Sequence, residues 1–289
     1  MLVFFSDTNS DLYWERAEQL QINMINMPYI LDGELKQADL GKNKDYIDFF
    51  EKLKSGVEAS TCGLNKEEYL NYFEPHLKNG DDIIYVTFSH NMSNTFEYMK
   101  QAINELKEKY PERSIDYVNT RSISIGESLI VWEAHKLYKQ GKSAKEIVEF
   151  VENLSKEVVA TFVVDDLHHL KKGGRISGAT AFFGSLLNIK PVLFLNDEGR
   201  VEKLDKVKGR KQALEYLVNM VKQKGINVAD YPIVIAHGNE PEGAETLARM
   251  VREHAGDDAN IWIQPIGPTI GAHAGPGLIA IAFHGKMNL

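Results

Sequence analysis

Short apolar runs and longer amphipathic runs take turns along almost the whole of this chain, and that alternation leaves few folds open to it. Residues 2–5, 82–88, 114–118, 158–164, 191–195, 231–236, 261–263 and 278–283 are rich in β-branched and aromatic side chains and are bounded by turn residues, which reads as buried strands. Residues 44–54, 66–78, 94–109, 127–140, 144–156, 210–224 and 241–253 space their apolar positions by three and four, which reads as helices with one face to the core. Asn65 with Glu68, and Ser143 with Glu146, fit capping boxes that satisfy otherwise orphaned amides at two helix starts. The expected class is α/β, with largely parallel sheets covered by helices. At 289 residues the length favours two domains. The fresh strand at Val158 places them at 1–157 and 158–289, with a ligand site between or beside them.

Charge and cysteine content narrow the function. A formal net charge of −8 repels a phosphate backbone, so no nucleic-acid partner is expected. The single cysteine, Cys62, rules out an internal disulfide and fits a reducing, cytoplasmic setting. The apolar start at 1–5 is cut off by Ser6 and Asp7, which leaves it too short for a secretory core. Residues 259–285 carry no Asp, Glu, Lys or Arg, but Pro265, Pro268, Pro276 and several glycines interrupt them, so no transmembrane segment is expected. Transient contact with a membrane surface is left open.

Polar residues gather just after predicted strands, where open α/β sheets place their ligands. One cluster is Ser6 to Asp11, a second is Ser60 to Gly63, a third runs from Ser89 to Thr95, and the last from Gly267 to Gly277. Helix-start hydroxyls and amides can bind an anion, although each cluster alone is equally readable as capping and turn chemistry. Arg175 stands in Gly173-Gly174-Arg175-Ile176-Ser177-Gly178, where a guanidinium could pair with a carboxylate or phosphate. No Walker A loop occurs and no G-x-G-x-x-G follows the first strand, so no nucleotide cofactor is expected. Asp165-Asp166-Leu167-His168-His169 has too few ligands at suitable spacing for a metal and reads as an acidic helix start. Ser93 has no G-x-S-x-G setting.

In their order these motifs resemble the DegV family of lipid-binding proteins over essentially the whole chain. Asp7-Thr8-Asn9-Ser10-Asp11-Leu12 is similar to the family's opening D-S/T-x-S/A-D-L, and Ser60-Thr61 to its threonine-bearing loop. Ser93-Asn94-Thr95 resembles the S-G-T turn, and residues 170–177 resemble L-x-x-G-G-R-I-S. Ile189-Lys190-Pro191 with Glu198-Gly199-Arg200 fits the next strand pair, and residues 270–277 resemble the I-G-x-H-x-G-P-G loop. Asn94 replaces the glycine of S-G-T, Asn119-Thr120 stands where an Asp-Ser pair is usual, and Cys62-Gly63 alters the residues after the threonine.

The resemblance implies a two-domain α/β protein that holds one long-chain fatty acid, with the carboxylate on a hydroxyl and histidine cluster and the acyl chain in an apolar tunnel. It implies Thr61, Ser93, Asn94, Arg175, Gly271, Ala272 and His273 at the fatty acid, the loop amides assisting, and residues 179–189 and 262–283 as tunnel walls. It further implies a separate ATP-dependent fatty acid kinase as partner, met through Arg200, and no catalysis by this chain itself. A rival reading is an acyl hydrolase or phosphotransferase using Ser93 with His273 as base.

Overall fold

The protein is described here as a computed structural model, in which residues 1–165, 167–176 and 188–287 are placed. The alternation builds an α/β fold with three sheets among these residues. The first sheet is parallel throughout, in the order β2 (Asn23–Ile25), β1 (Leu2–Asp7), β6 (Asp82–Thr87), β7 (Ile115–Asn119). Its central strands carry Phe4, Phe5, Ile83, Ile84, Tyr85 and Val86, all essentially without solvent contact, as strands covered on both faces require.

The second sheet departs from the parallel expectation. Its six strands run in the order β10 (Val201–Lys208), β9 (Ile189–Leu195), β8 (Val158–Val163), β13 (Ile279–His284), β11 (Ile233–His237), β12 (Ile261–Pro265), and only the pair β11–β12 is parallel. For β10 the reason is local: the turn at 196–200 is too short for a crossover, so β10 must return antiparallel to β9. β10 also escapes the apolar pattern. It is an edge strand whose Lys203, Asp205, Lys206 and Lys208 are exposed, the charged dressing that discourages edge pairing.

A third, three-stranded antiparallel sheet is made from β3 (Pro28–Leu31), β4 (Glu34–Gln37) and β5 (Ala59–Thr61). Asp32 and Gly33 join β3 to β4 with φ of 54° and 78°, the left-handed pair of a tight hairpin. Register opposes Thr61 to Tyr29, whose ring is buried, and so fixes the position of Thr61.

The helices fall where the apolar spacing places them. They include α2 (Asp45–Lys54), α3 (Lys66–Lys78), α4 (Thr95–Lys109), α6 (Ala144–Leu154), α8 (Gly209–Lys224) and α9 (Pro241–Ala255), with α1 (Trp14–Leu20), α7 (His168–Lys172) and α10 (Pro268–Ala274) as shorter additions. Both capping boxes form: Asn65 caps α3 with Glu68, and Ser143 caps α6 with Glu146. α5 (Ile125–Lys139) is different, because residues on every side of its first turns are buried, from Ile125 to Val131. Such a helix must lie between layers, and α5 packs against β1 and β6 of the parallel sheet and against β8, β11 and β13 of the mixed one. α8 and α9 cover the opposite face of the mixed sheet, on Val159, Val163, Ile235 and Ile281.

Candidate functional site

On the face of the mixed sheet that carries Ala160, Phe162 and Ala280 there is a cavity whose wall also includes Thr61 at the end of β5, the β6–α4 loop and α10. Most of the wall is apolar, with Met27, Phe88, Ile123, Leu195, Val201, Ile266 and Leu278 among its side chains. Thr61, Ser93, Arg175 and His273 line it too. These residues lie far apart in the chain, and hydrogen bonds show how they come together.

Thr61 Oγ1 and His273 Nε2 are 2.8 Å apart. Gly173 is why the ring can sit there: a Cβ at that position would lie 2.1 Å from His273 Nδ1, so only glycine lets the chain pass. Two residues on, the Arg175 guanidinium donates from Nε to the Met92 carbonyl at 3.1 Å and from Nη1 to the Gly173 carbonyl. That fastens Arg175 beside Ser93, whose Oγ accepts the Thr95 N–H at 3.2 Å as α4 begins. Burial, with a further push from Arg175, drives the His273 pKa down to about 4. The imidazole is neutral at pH 7, and the positive charge of the cluster belongs to Arg175, which has no acidic partner among the described residues. Cys62 also lines the cavity, where burial raises its pKa and keeps it a thiol.

Other expectations fare differently. Asn94 is the N-cap residue of α4 in a helical conformation, makes no capping bond and does not line the cavity. Gly271 and Ala272 do not line it either. Residues 268–274 are helical, with Pro268 in the first turn, so the Gly271 N–H is used by the Gly267 carbonyl at 2.8 Å and is not offered to an anion. A Cβ on Gly271 would meet the Phe49 and Phe50 rings at 2.7 and 2.8 Å, which assigns this glycine to packing. Of the two expected wall segments, 262–283 contributes Ile266, Thr269, Ile270, Ala274 and Leu278, while 179–187 lies outside the described residues, as do Asp166 and Ser177. Asp165 is occupied by ion pairs to Lys190 at 2.8 Å and Arg210 at 3.0 Å, and no cluster suited to a metal ion occurs among the described residues. No helix among them is long and apolar enough to cross a membrane.

Arg200 stands apart from the cavity wall. Its turn is held by Asn196 Oδ1, which accepts the Glu198 and Arg200 amides at 3.0 and 2.9 Å. The turn is fastened to the β6–α4 loop by Ser89 Oγ donating to the Gly199 carbonyl at 2.8 Å and Asn91 Nδ2 to the Glu198 carbonyl at 2.7 Å. Sequence reading missed Met27, Phe88, Met92, Ile123 and Val201 as cavity wall, since nothing distinguishes them from core residues until the sheets are placed. One local signal could have found the small sheet that carries Thr61, the Asp32-Gly33 pair of a tight hairpin.

Fold and site together define a class: an α/β protein of separate sheets with an apolar cavity that ends in hydroxyl, imidazole and guanidinium groups. The family model described as "Uncharacterised protein, DegV family" matches residues 2–286, and the chain belongs to the DegV family. A DegV domain-containing protein of Clostridium perfringens is 38% identical over 293 residues, covering 98% of this chain and 97% of its own. The solved structure described as fatty acid binding of a DegV family protein from Thermus thermophilus superposes with a TM-score of 0.84 at 25% identity, covering 98% of this chain and 99% of its own. The fatty acid kinase (Fak) B3 protein of Streptococcus pneumoniae, solved loaded with linoleic acid, shares the fold with a TM-score of 0.84 at 21% identity, covering 99% and 100%.

Proposed function

We propose that this protein binds one long-chain fatty acid, the carboxylate on Thr61, Ser93 and Arg175 and the acyl chain along the apolar wall. The observation that carries this reading is the pairing of an uncompensated, half-buried guanidinium and two hydroxyls with a cavity that is otherwise apolar. An amphiphile with a single anionic end meets both requirements, and the Thermus relative is described as binding fatty acid. Each buried methylene contributes roughly 0.8 kcal/mol, so a long chain gains more than about 10 kcal/mol before the costs of association, and affinity comes from the tail. The polar cluster then sets orientation.

The chain acts as a carrier that presents the carboxyl group to a separate ATP-dependent fatty acid kinase. Against turnover of its own, His273 pairs with Thr61 instead of Ser93, its Nδ1 has no partner among the described residues, and a pKa near 4 makes it a weak base. Units 1–157 and 158–289 are proposed as the two domains, the cavity drawing wall residues from both. Arg200 is proposed as a kinase contact because its half-exposed side chain sits on the turn tied to the loop of Ser93, with the exposed Glu198 as its one ion-pair partner among the described residues, at 3.3 Å. Arg200→Ala should leave fatty-acid affinity intact and slow kinase-dependent acyl phosphate formation at subsaturating carrier. Equal kinetics at low and moderate salt would remove Arg200 from the interface.

Native mass spectrometry of the purified protein tests the main reading. The expected spectrum carries the added mass of one fatty acid, released on organic extraction. A homogeneous ligand-free mass with no uptake of added palmitate or oleate would sink the carrier reading.

A further inference from the structure

Asn9 and Thr269 line the same cavity and are not among the residues assigned above to the carboxylate. They are 5% and 8% exposed, and Asn9 Oδ1 and Thr269 Oγ1 are buried with no hydrogen-bond partner among the described residues. Buried polar atoms in folded proteins are nearly always paired, so these two, with Thr161 Oγ1 and His273 Nδ1 also unpartnered on the same wall among the described residues, point to something that pairs them.

Both residues are rigidly held. Asn9 sits in the 3-10 turn Thr8–Ser10, its amide bound by Asp7 Oδ1 at 3.0 Å and its carbonyl accepting the Ser124 N–H at 2.8 Å. Thr269 lies in the first turn of α10, just after Gly267, whose N–H donates to Asp11 Oδ1 at 2.8 Å. Asp11 Oδ2 is 2.5 Å from Ser124 Oγ, so one carboxyl ties together the segments that carry Asn9 and Thr269. Thr269 precedes His273 by four residues on α10, one helical turn or about 6 Å away on the same face.

Resting on the fatty-acid reading above, we propose that Asn9 and Thr269 form a second polar station in the wall, built to receive a hydroxyl carried on the acyl chain. The preferred ligand class is then a hydroxy fatty acid. A hydroxyl both donates and accepts: its hydrogen goes to Asn9 Oδ1 while its oxygen accepts from Thr269 Oγ1–H. A ketone only accepts and leaves Asn9 Oδ1 unmet. A plain methylene meets neither. The expected order of affinity at the matching chain position is hydroxy, then oxo, then unsubstituted.

Titration with stearate and a positional series of hydroxystearates and oxostearates tests this. One hydroxyl position should bind about three- to tenfold more tightly than stearate, the effect of a net neutral hydrogen bond or two. The ratio of hydroxystearate to stearate affinity should fall to near one in Thr269→Val, an isosteric change, and in Asn9→Leu, and should recover in Thr269→Ser. A flat series in the wild type, or a preference that survives both Thr269→Val and Asn9→Leu, would overturn the proposal. Stearate binding with a flat series defeats this inference alone, whereas no uptake of any chain defeats the fatty-acid reading and this inference with it.

Discussion

Thr61→Val should weaken fatty-acid binding by about one to two orders of magnitude, the loss expected when a hydrogen bond to a charged group is removed and the charge stays buried. The size follows from how Thr61 and His273 share protons. A neutral imidazole carries one N–H, and with Thr61 Oγ1 at 2.8 Å from Nε2 either atom can donate. A bound carboxylate selects the arrangement in which Nε2–H donates to Thr61 and the freed Thr61 hydroxyl donates to the ligand, so valine removes a donor and strands the ring. Ser93→Ala removes a second hydroxyl and also the acceptor for the Thr95 N–H, so it should cost fold stability as well as affinity. Fluorescent fatty-acid displacement, read beside thermal unfolding of the unliganded variants, separates the two effects. Affinities equal to wild type in both variants would contradict the placement of the carboxylate.

The features legible in the sequence were those set by neighbours along the chain. Capping boxes at Asn65 and Ser143 depend on residues three apart, and both form. Buried strands such as β6 and β13 announce themselves because both faces are covered. β10 did not, because an edge strand dressed in lysine has the composition of a loop. The direction of the mixed sheet depends on connection lengths and on β13 entering between β8 and β11, which no local pattern encodes. Thr61 and His273 stand 212 residues apart, and residue-by-residue chemistry offered no reason to join them; the order of motifs across the chain did. The same motif reading puts Gly271 and Ala272 at the ligand as part of a glycine loop, whereas Pro268 starts a helix there in which the Gly271 amide is bonded to the Gly267 carbonyl.

Asp11→Asn should stabilise the protein progressively as pH rises, by about 4 kcal/mol at pH 8 and above, relative to wild type. Burial pushes Asp11 up to about 7 against hydrogen bonds from Ser124 and Gly267 that pull it down, and Asp7 is likewise pushed up to about 7. Glu127, fully buried with both carboxyl oxygens unpartnered among the described residues, is raised well above its ordinary value. An acid whose folded pKa exceeds its unfolded value, 3.8 for Asp, stabilises the fold fully below that value and loses the contribution as pH rises through about 7. His90, His135, His237 and His273 act in the opposite sense: burial holds them near 4 against 6.5, so their contribution is complete above 6.5 and is lost as pH falls through 4. The two sets oppose each other between pH 4 and 7 and flatten the wild-type profile. Asparagine breaks the balance cleanly, because its NH2 can donate to Ser124 Oγ and its carbonyl can accept from the Gly267 N–H, as the protonated Asp11 carboxyl does. The variant should therefore match wild type below about pH 4, pull ahead between about pH 4 and 7, where Asp11 ionises in the unfolded chain and stays protonated in the fold, and hold its lead above that. Urea unfolding of both proteins at pH 5, 7 and 8.5 measures the difference, and an offset that stays constant across that range would mean that Asp11 is charged in the fold throughout.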